Sequence, residues 1–213
     1  MLEKADHPKS EPSTRDRILI AAATMVSEDP GARLSVRAVA SRAGVSTGSL
    51  RHFFPTQRAL IDEVAAGITG LLANESVIED TTVPAEERLL ACMQQVLSAT
   101  GTGEQARETW RRTFHTYLSS ELSTDAIDTY LALSAAGLRH TERWLDVLEK
   151  EGALPPGDNT QRAAYLNVVM DGLSVARALP TDAARIRSET DVLQHAVSLL
   201  FHTAAPMPAG DSD

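Results

Sequence analysis

The side chains best suited to chemistry in this chain are short hydroxyls gathered around one guanidinium: Ser46, Thr47, Gly48, Ser49, Arg51 and His52. Their chemistry is recognition rather than bond-making. Short hydroxyls and a glycine let a backbone approach phosphates and base edges, and a guanidinium can fork onto guanine in a major groove. The charge around them has one sign. No acidic residue lies between Asp29 and Asp62, whereas Arg33, Arg37, Arg42, Arg51 and Arg58 all do. Catalytic patterns are missing: there is no nucleophile elbow, no glycine-rich phosphate loop, no HExxH and no pair of cysteines. His195 and His202 stand seven residues apart, too far along a helix rising about 1.5 Å per residue to share an ion. No enzymatic activity, metal or cofactor is expected.

Two short helices and a tight turn would hold these groups. Ser35 is a good N-cap, and Val36, Val39 and Ala40 follow at i, i+3 and i+4, an apolar helix face. Gly44 stands where that helix must stop, because glycine enters a left-handed cap without a Cβ penalty. Ser46 caps a second helix, with Leu50, Phe53 and Phe54 as its buried side. Ala40 is small where the two helices cross. The pattern over 35–54 is that of a helix-turn-helix whose second helix protrudes.

Composition and charge agree with a divided molecule. A chain of 213 residues that is 43% hydrophobic can bury one good core or two small ones. No apolar run approaches the roughly 20 residues needed to cross a bilayer, and Met1–Ser13 does not resemble a secretory signal. The lone cysteine, Cys92, allows no internal disulfide, so a reducing cytoplasm is expected. The net charge of −9 is unevenly spread: residues 1–61 hold nine Lys/Arg against six Asp/Glu, and residues 62–213 hold eleven against twenty-three. A basic head on an acidic body suits site-specific binding to DNA better than general coating of it.

The periodicity predicts an all-α chain. A helix over 14–29 opens with Ser13 and Asp16 in capping-box spacing and buries Ile18, Ala22, Met25 and Val26. Pro55 ends the recognition helix, and Thr56 caps a helix to about Leu72 that leaves the head and enters the second domain as a lever. A polar linker over 73–83 precedes helices near 84–100, 104–120, 124–152, 160–179 and 189–203. The domain reading is a disordered tail over 1–13, a DNA-binding domain over 14–66, a ligand-binding and dimerisation domain over 67–205, and a second tail over 206–213. Twelve of the seventeen residues from Ala163 to Leu179 are apolar, nearly all round the cylinder. Such a helix must be covered on every side. Together with the stripe at 189–203, it predicts a four-helix bundle between two copies, with Val169, Leu173, Ala176, Val197 and Leu200 at the interface. Trp110, Phe114 and Tyr117 share one helix side, and Asn167, Asp171 and Ser174 form a polar strip on an apolar helix. With Met93, Thr141 and Trp144, these residues are expected to line a small-molecule pocket.

Residues 14–66 resemble the N-terminal domain of the TetR family of transcriptional regulators. The likeness rests on the helix Thr14–Asp29, the Gly31 break, the run LSVRAVASRAGVSTGSLRHFFPTQRALIDEV and the Phe-Phe-Pro boundary at 53–55. Two positions depart from the family pattern: Arg51 stands where a tyrosine is usual, and Gln57 where a lysine often touches the backbone. The first changes the expected base preference, and the second removes a phosphate contact. The run YLNVVMDGLSVARAL resembles the branch that includes repressors of choline and betaine synthesis. A quaternary-ammonium cage of Trp110, Tyr117 and Trp144 with Asp171 as counter-charge is one reading of it. The resemblance implies a homodimer on a pseudo-palindromic double-stranded operator, released by an unidentified small molecule, with no membrane involved. Ser46, Thr47, Ser49 and Arg51 are expected to contact bases or the sugar-phosphate backbone near the groove, and Ser35, Arg37, His52, Thr56 and Arg58 to lie on phosphates. The alternatives are an activator, or a regulator controlled by redox state or a partner.

Overall fold

The computed structural model describes residues 12–29, 34–72, 75–118, 122–180 and 183–202. Among them there are ten helices and no strand: α1 (Thr14–Glu28), α2 (Val36–Ala43), α3 (Thr47–Phe53), α4 (Gln57–Leu72), α5 (Glu75–Ile78), α6 (Ala85–Ser98), α7 (Gly103–Tyr117), α8 (Thr124–Lys150), α9 (Asn159–Ala178) and α10 (Ala183–Phe201). The Gly31 break, Arg33, residues 1–11 of the first expected tail and the whole second tail lie outside the described residues.

Local chemistry fixes most helix starts. Ser13 and Asp16 make the reciprocal capping box of α1. Ser35 accepts from Ala38 N at 3.2 Å, Ser46 from Ser49 N at 3.0 Å and Thr56 from Ala59 N at 3.0 Å. Each bond satisfies an N–H that the helix itself leaves without a partner. Ser123 and Asp158 do the same for α8 and α9. Gly44 ends α2 at φ 64°, the left-handed cap that a Cβ would strain.

Two cores follow. The first gathers Ile18, Ala22, Val39, Ala40, Leu50, Phe54, Leu60 and Val64 from α1 to α4, and it runs on to Ala132 and Ala136 of α8. The second gathers Ile78, Leu89, Cys92, Met93, Trp144, Leu145, Leu148, Leu166, Leu193 and Val197 from α5, α6, α8, α9 and α10. Helix α4 packs along α8, so the head is joined to the body by a shared seam rather than a flexible tether.

Three expectations need correction. The segment 73–83 is not merely a polar linker: α5 forms in it, and Ile78 is buried in the second core. Helix α10 begins at Ala183, six residues before the expected start. Phe53 is 39% exposed, so Leu50 and Phe54 alone supply the buried side of α3.

Candidate nucleic-acid interface and ligand cavity

The start of α2, the outer face of α3 and the start of α4 surround one open concavity of about 400 Å³. Ser35, Arg37, Thr47, Arg51 and Gln57 line it, together with Val36. Ser46, Thr47, Gly48, Arg51, His52 and Thr56 are exposed, and Ser49 is half-buried. Three of these hydroxyls already act as caps: Ser35, Ser46 and Thr56 accept backbone N–H groups, which fixes their orientation at helix N-termini. Partially positive helix ends and exposed guanidinium groups together make a surface for anions.

The arginines of the head fall into two groups. Arg15 pairs with Glu63, Arg42 with Glu28 through two bonds, and Arg58 with Asp62 one turn on. Arg37 and Arg51 are exposed and have no ion-pair partner among the described residues. They are the cations most available to a duplex. Arg58 is held 3.0 Å from Asp62, but an exposed pair of this kind holds by only about 0–1 kcal/mol. A phosphate can compete for it.

Two positioning residues escaped the sequence reading. The Nη2 of Arg17 donates to the carbonyls of Ala43 and Gly44 at 2.8 and 3.0 Å, clamping the turn between α2 and α3. A Cβ on Gly44 would lie 3.2 Å from that nitrogen. Gln57, read only as a missing phosphate contact, donates from Nε2 to Asp125 Oδ1 at 2.9 Å. It ties the start of the lever helix to the first turn of α8. Nothing in the local sequence signals either contact, because the partners lie 26 and 68 residues apart.

A cavity of about 150 Å³ lies where α4, α6, α8 and α9 meet. Met93, Thr141, Trp144, Asn167, Asp171 and Ser174 of the expected set line it, joined by His140, Met170 and, from the lever helix itself, Thr69. Its polar strip is internally bonded. Asn167 Nδ2 donates to Thr141 Oγ1 at 3.1 Å and to Ala163 O at 2.8 Å, while Ser174 Oγ donates to Asp171 O at 2.8 Å. Burial pushes the Asp171 carboxyl above the usual carboxylate range.

The remaining expected pocket residues lie elsewhere. Trp110 and Tyr117 line a second, wider groove of about 520 Å³ with Ile127, Tyr130 and Leu131; Asp171 is common to both cavities. Phe114 is 61% exposed and lines neither. The three-ring cage for a quaternary ammonium is therefore not assembled: Trp144 is separated from Trp110 and Tyr117.

Cys92 is poorly placed for redox sensing. It is fully buried, and burial pushes its thiol up to about 11, against a smaller opposing pull from Arg88. A thiol so far from ionisation is a poor nucleophile.

The expected interface residues also divide. Leu173, Val197 and Leu200 are buried in the chain's own second core, and Val169 packs half-buried against it. Ala176 is half-buried. The apolar groups left outside on α9 are Tyr165, Val168 (71% exposed), Val175 and Leu179, and on α10 they are Val192 and Leu199. The gaps between them are three, seven and four residues on α9 and seven on α10, so on each helix they fall on one face. No helix among the described residues is long and apolar enough to cross a membrane.

Comparison with known proteins locates this architecture. Residues 18–64 match the family model described as bacterial regulatory proteins, tetR family. No curated protein sequence matches the chain. Among solved structures, the R. erythropolis transcriptional repressor QsdR from the TetR family aligns at TM-score 0.54 and 16% identity, covering 91% of this chain and 97% of that one. A candidate transcriptional regulator from Pseudomonas aeruginosa PAO1 aligns at TM-score 0.51 and 22% identity, over 92% and 94% of the two chains. The fatty acid degradation regulator FadR from Bacillus halodurans aligns at TM-score 0.50 and 15% identity, over 90% and 100%. At these identities the likeness is one of fold, and it extends over both head and body. The family model covers the head, and the shared fold covers both parts.

Proposed function

We propose that this protein is a TetR-family transcriptional regulator that binds a pseudo-palindromic operator as a homodimer and leaves it when a small molecule enters the body. The bare cationic concavity around α3 carries this reading. Arg37 and Arg51 stand on it without ion-pair partners among the described residues, in a stretch that holds no acid between Asp29 and Asp62. Arg51 acts as the base reader, with Thr47 and Ser49 beside it; Ser46, Ser35, Arg37, Thr56 and Arg58 meet phosphates. His52, stacked edge-on against Phe53 at 5.2 Å, flanks the same surface. The partition at residue 66 is functional rather than spatial, since α4 serves both parts.

The effector enters the cavity that Thr69 lines. A molecule there touches α4 directly, so its binding energy can differ between two tilts of the head. That difference sets how far it can shift the population, with couplings of about 1–3 kcal/mol usual. Two copies meet through the stripes of α9 and α10 led by Val168 and Leu199. A twofold pair of heads then meets successive major-groove faces about 34 Å apart. The buried, un-ionised Cys92 disfavours redox control as the alternative.

The test is selection of duplexes from a random pool by the purified protein, followed by competition against unselected DNA. A two-half-site consensus, bound at least about 1,000-fold more tightly than random duplex, is the expected result. Equal affinity for both would overturn the reading.

A further inference from the structure

The groove along α7, α8 and α9 keeps apolar side chains at the surface. Trp110 and Tyr117 stand two turns apart on α7, and Ile127, Tyr130 and Leu131 follow at i, i+3 and i+4 on α8, so each helix turns one side to it. Ile127, Tyr130 and Leu131 are between 40 and 50% exposed. The rings of Tyr117 and Tyr130 bridge the two helices, with centroids 5.2 Å apart. Exposed apolar groups gathered in one patch mark an interaction site. The volume, about 520 Å³, lies within the roughly 300–1,000 Å³ of small-molecule sites. Among the described residues a single charged group lines the groove, Asp171 of α9. Asp171 is open to solvent, and no hydrogen bond or ion pair reaches its carboxylate among those residues. Partial burial still pushes that carboxyl up, and no nearby cation among the described residues opposes the shift.

We propose that this groove is a second ligand site, and that it takes a hydrophobic organic cation: an ammonium at Asp171 on an apolar body laid along Tyr130, Leu131 and Ile127. The site is separate from the smaller cavity beside Thr69 and stands apart from the effector reading of it. Each part of the ligand answers a feature of the groove. A carboxylate partly withdrawn from water gains from an opposite charge beside it. Aromatic rings serve both ends of such a molecule, since they cover a carbon chain and attract a cation within about 6 Å of the ring centroid. Trp110, Tyr117 and Tyr130 supply three rings here, with Tyr130 in the place expected of Trp144. A neutral molecule covers the apolar side chains but leaves Asp171 unmet. An anion meets a like charge and, among the described lining residues, no counter-ion.

The experiment uses the full chain without DNA and three probes that share a tail: octyltrimethylammonium, 1-octanol and octanoate, each below its micelle or solubility limit. Calorimetric titration should show the ammonium binding about tenfold more tightly than the alcohol, equivalent to about 1.4 kcal/mol, and octanoate binding most weakly. The chain has two tryptophans, one at the groove and one at the cavity. In an indole ¹⁵N–¹H spectrum, assigned with Trp110→Phe, the ammonium should move the Trp110 resonance and leave that of Trp144. Asp171→Asn keeps the shape and removes the charge, so the ammonium should fall to the affinity of the alcohol, itself unchanged. The ranking of the three probes on the wild-type chain gives the answer even if that variant unfolds. Equal binding of octanoate or 1-octanol, a preference that survives Asp171→Asn, movement of the Trp144 resonance alone, or no binding of any probe would each overturn the assignment. Asp171 lies three residues after Val168 and four before Val175, so the groove borders the face given to a second copy. Light scattering of Tyr130→Ser separates the two occupants. An unchanged mass is expected, and a mass halved from that of the wild type would give the groove to the second copy and overturn the ligand site.

Discussion

The head and the body leave their unmet polar groups on opposite sides of the surface. In the head, the interior is apolar, and Arg37 and Arg51, which have no ion-pair partner among the described residues, face outward around α3. In the body, the exposed helices carry apolar stripes at Val168, Val175 and Leu199, and the ring nitrogens of His140 and Trp144 that lack a partner among the described residues are buried. A surface cation stays hydrated until a phosphate displaces its water, so it can remain free at little cost. A buried nitrogen has no such reserve. On the proposed reading, the contrast separates two tasks: the head meets a large polyanion from outside, and the body meets something small from within. Helix α4 belongs to both, through Val64 in the first core and Thr69 at the cavity.

The largest effect that would test this division comes from the head's own core. Leu50 is fully buried beneath the recognition face, and Leu50→Ala should cost about 2–5 kcal/mol in denaturant unfolding. Operator binding should disappear while light scattering still reports a dimer. Loss of the dimer as well would show that the shared seam between α4 and α8 makes head and body one cooperative unit.

The assembly face is tested next. Val168→Asp puts a charge on the most exposed apolar position of α9, and removing a dimer contact weakens a two-half-site complex by at least about tenfold. Monomeric mass with unchanged far-ultraviolet circular dichroism is the expected outcome. A dimer that persists would move the interface elsewhere. Arg51→Ala then probes the reader, with an expected loss of about 1–3 kcal/mol on operator and much less on random duplex. Equal loss on both would make Arg51 a phosphate contact.

The head was far more legible than the body, and for a physical reason. Caps, turns and short amphipathic helices are decided within a few residues, so Ser35, Gly44, Ser46 and the capping box at Ser13 could be read directly. The body is set by contacts between distant helices. A helix apolar all round has no preferred phase, which is why Leu173, Val197 and Leu200 read as interface although they fill the chain's own core. The aromatic side of α7 was a real feature, but Trp110 and Tyr117 open into a groove separate from the cavity of Trp144. The polar linker hid α5, because four residues are too few to show a period. His140 can be placed on α8 beside Thr141 from the sequence, but a lone histidine becomes informative only once its Nδ1 is found against Arg143 and its Nε2 without a partner among the described residues.

The smallest expected effect concerns the bond that spans the two regions. Gln57 Nε2 and Asp125 Oδ1 meet at 2.9 Å between the first turns of α4 and α8. A half-buried hydrogen bond to a charged acceptor is worth about 1.5–3 kcal/mol, and less where water competes. Gln57→Ala and Asp125→Ala should each cost about 1 kcal/mol of stability, and the double variant should lose less than the two together. Asp125 also favours the N-terminus of α8 by charge, so only the coupling between the two changes reports on the bond itself. If the bond links the head's tilt to the body, both single variants should also narrow the gap between operator affinity with and without effector. Additive losses with an unchanged gap would leave the coupling to α4 through Thr69 and the seam with Ala132 and Ala136.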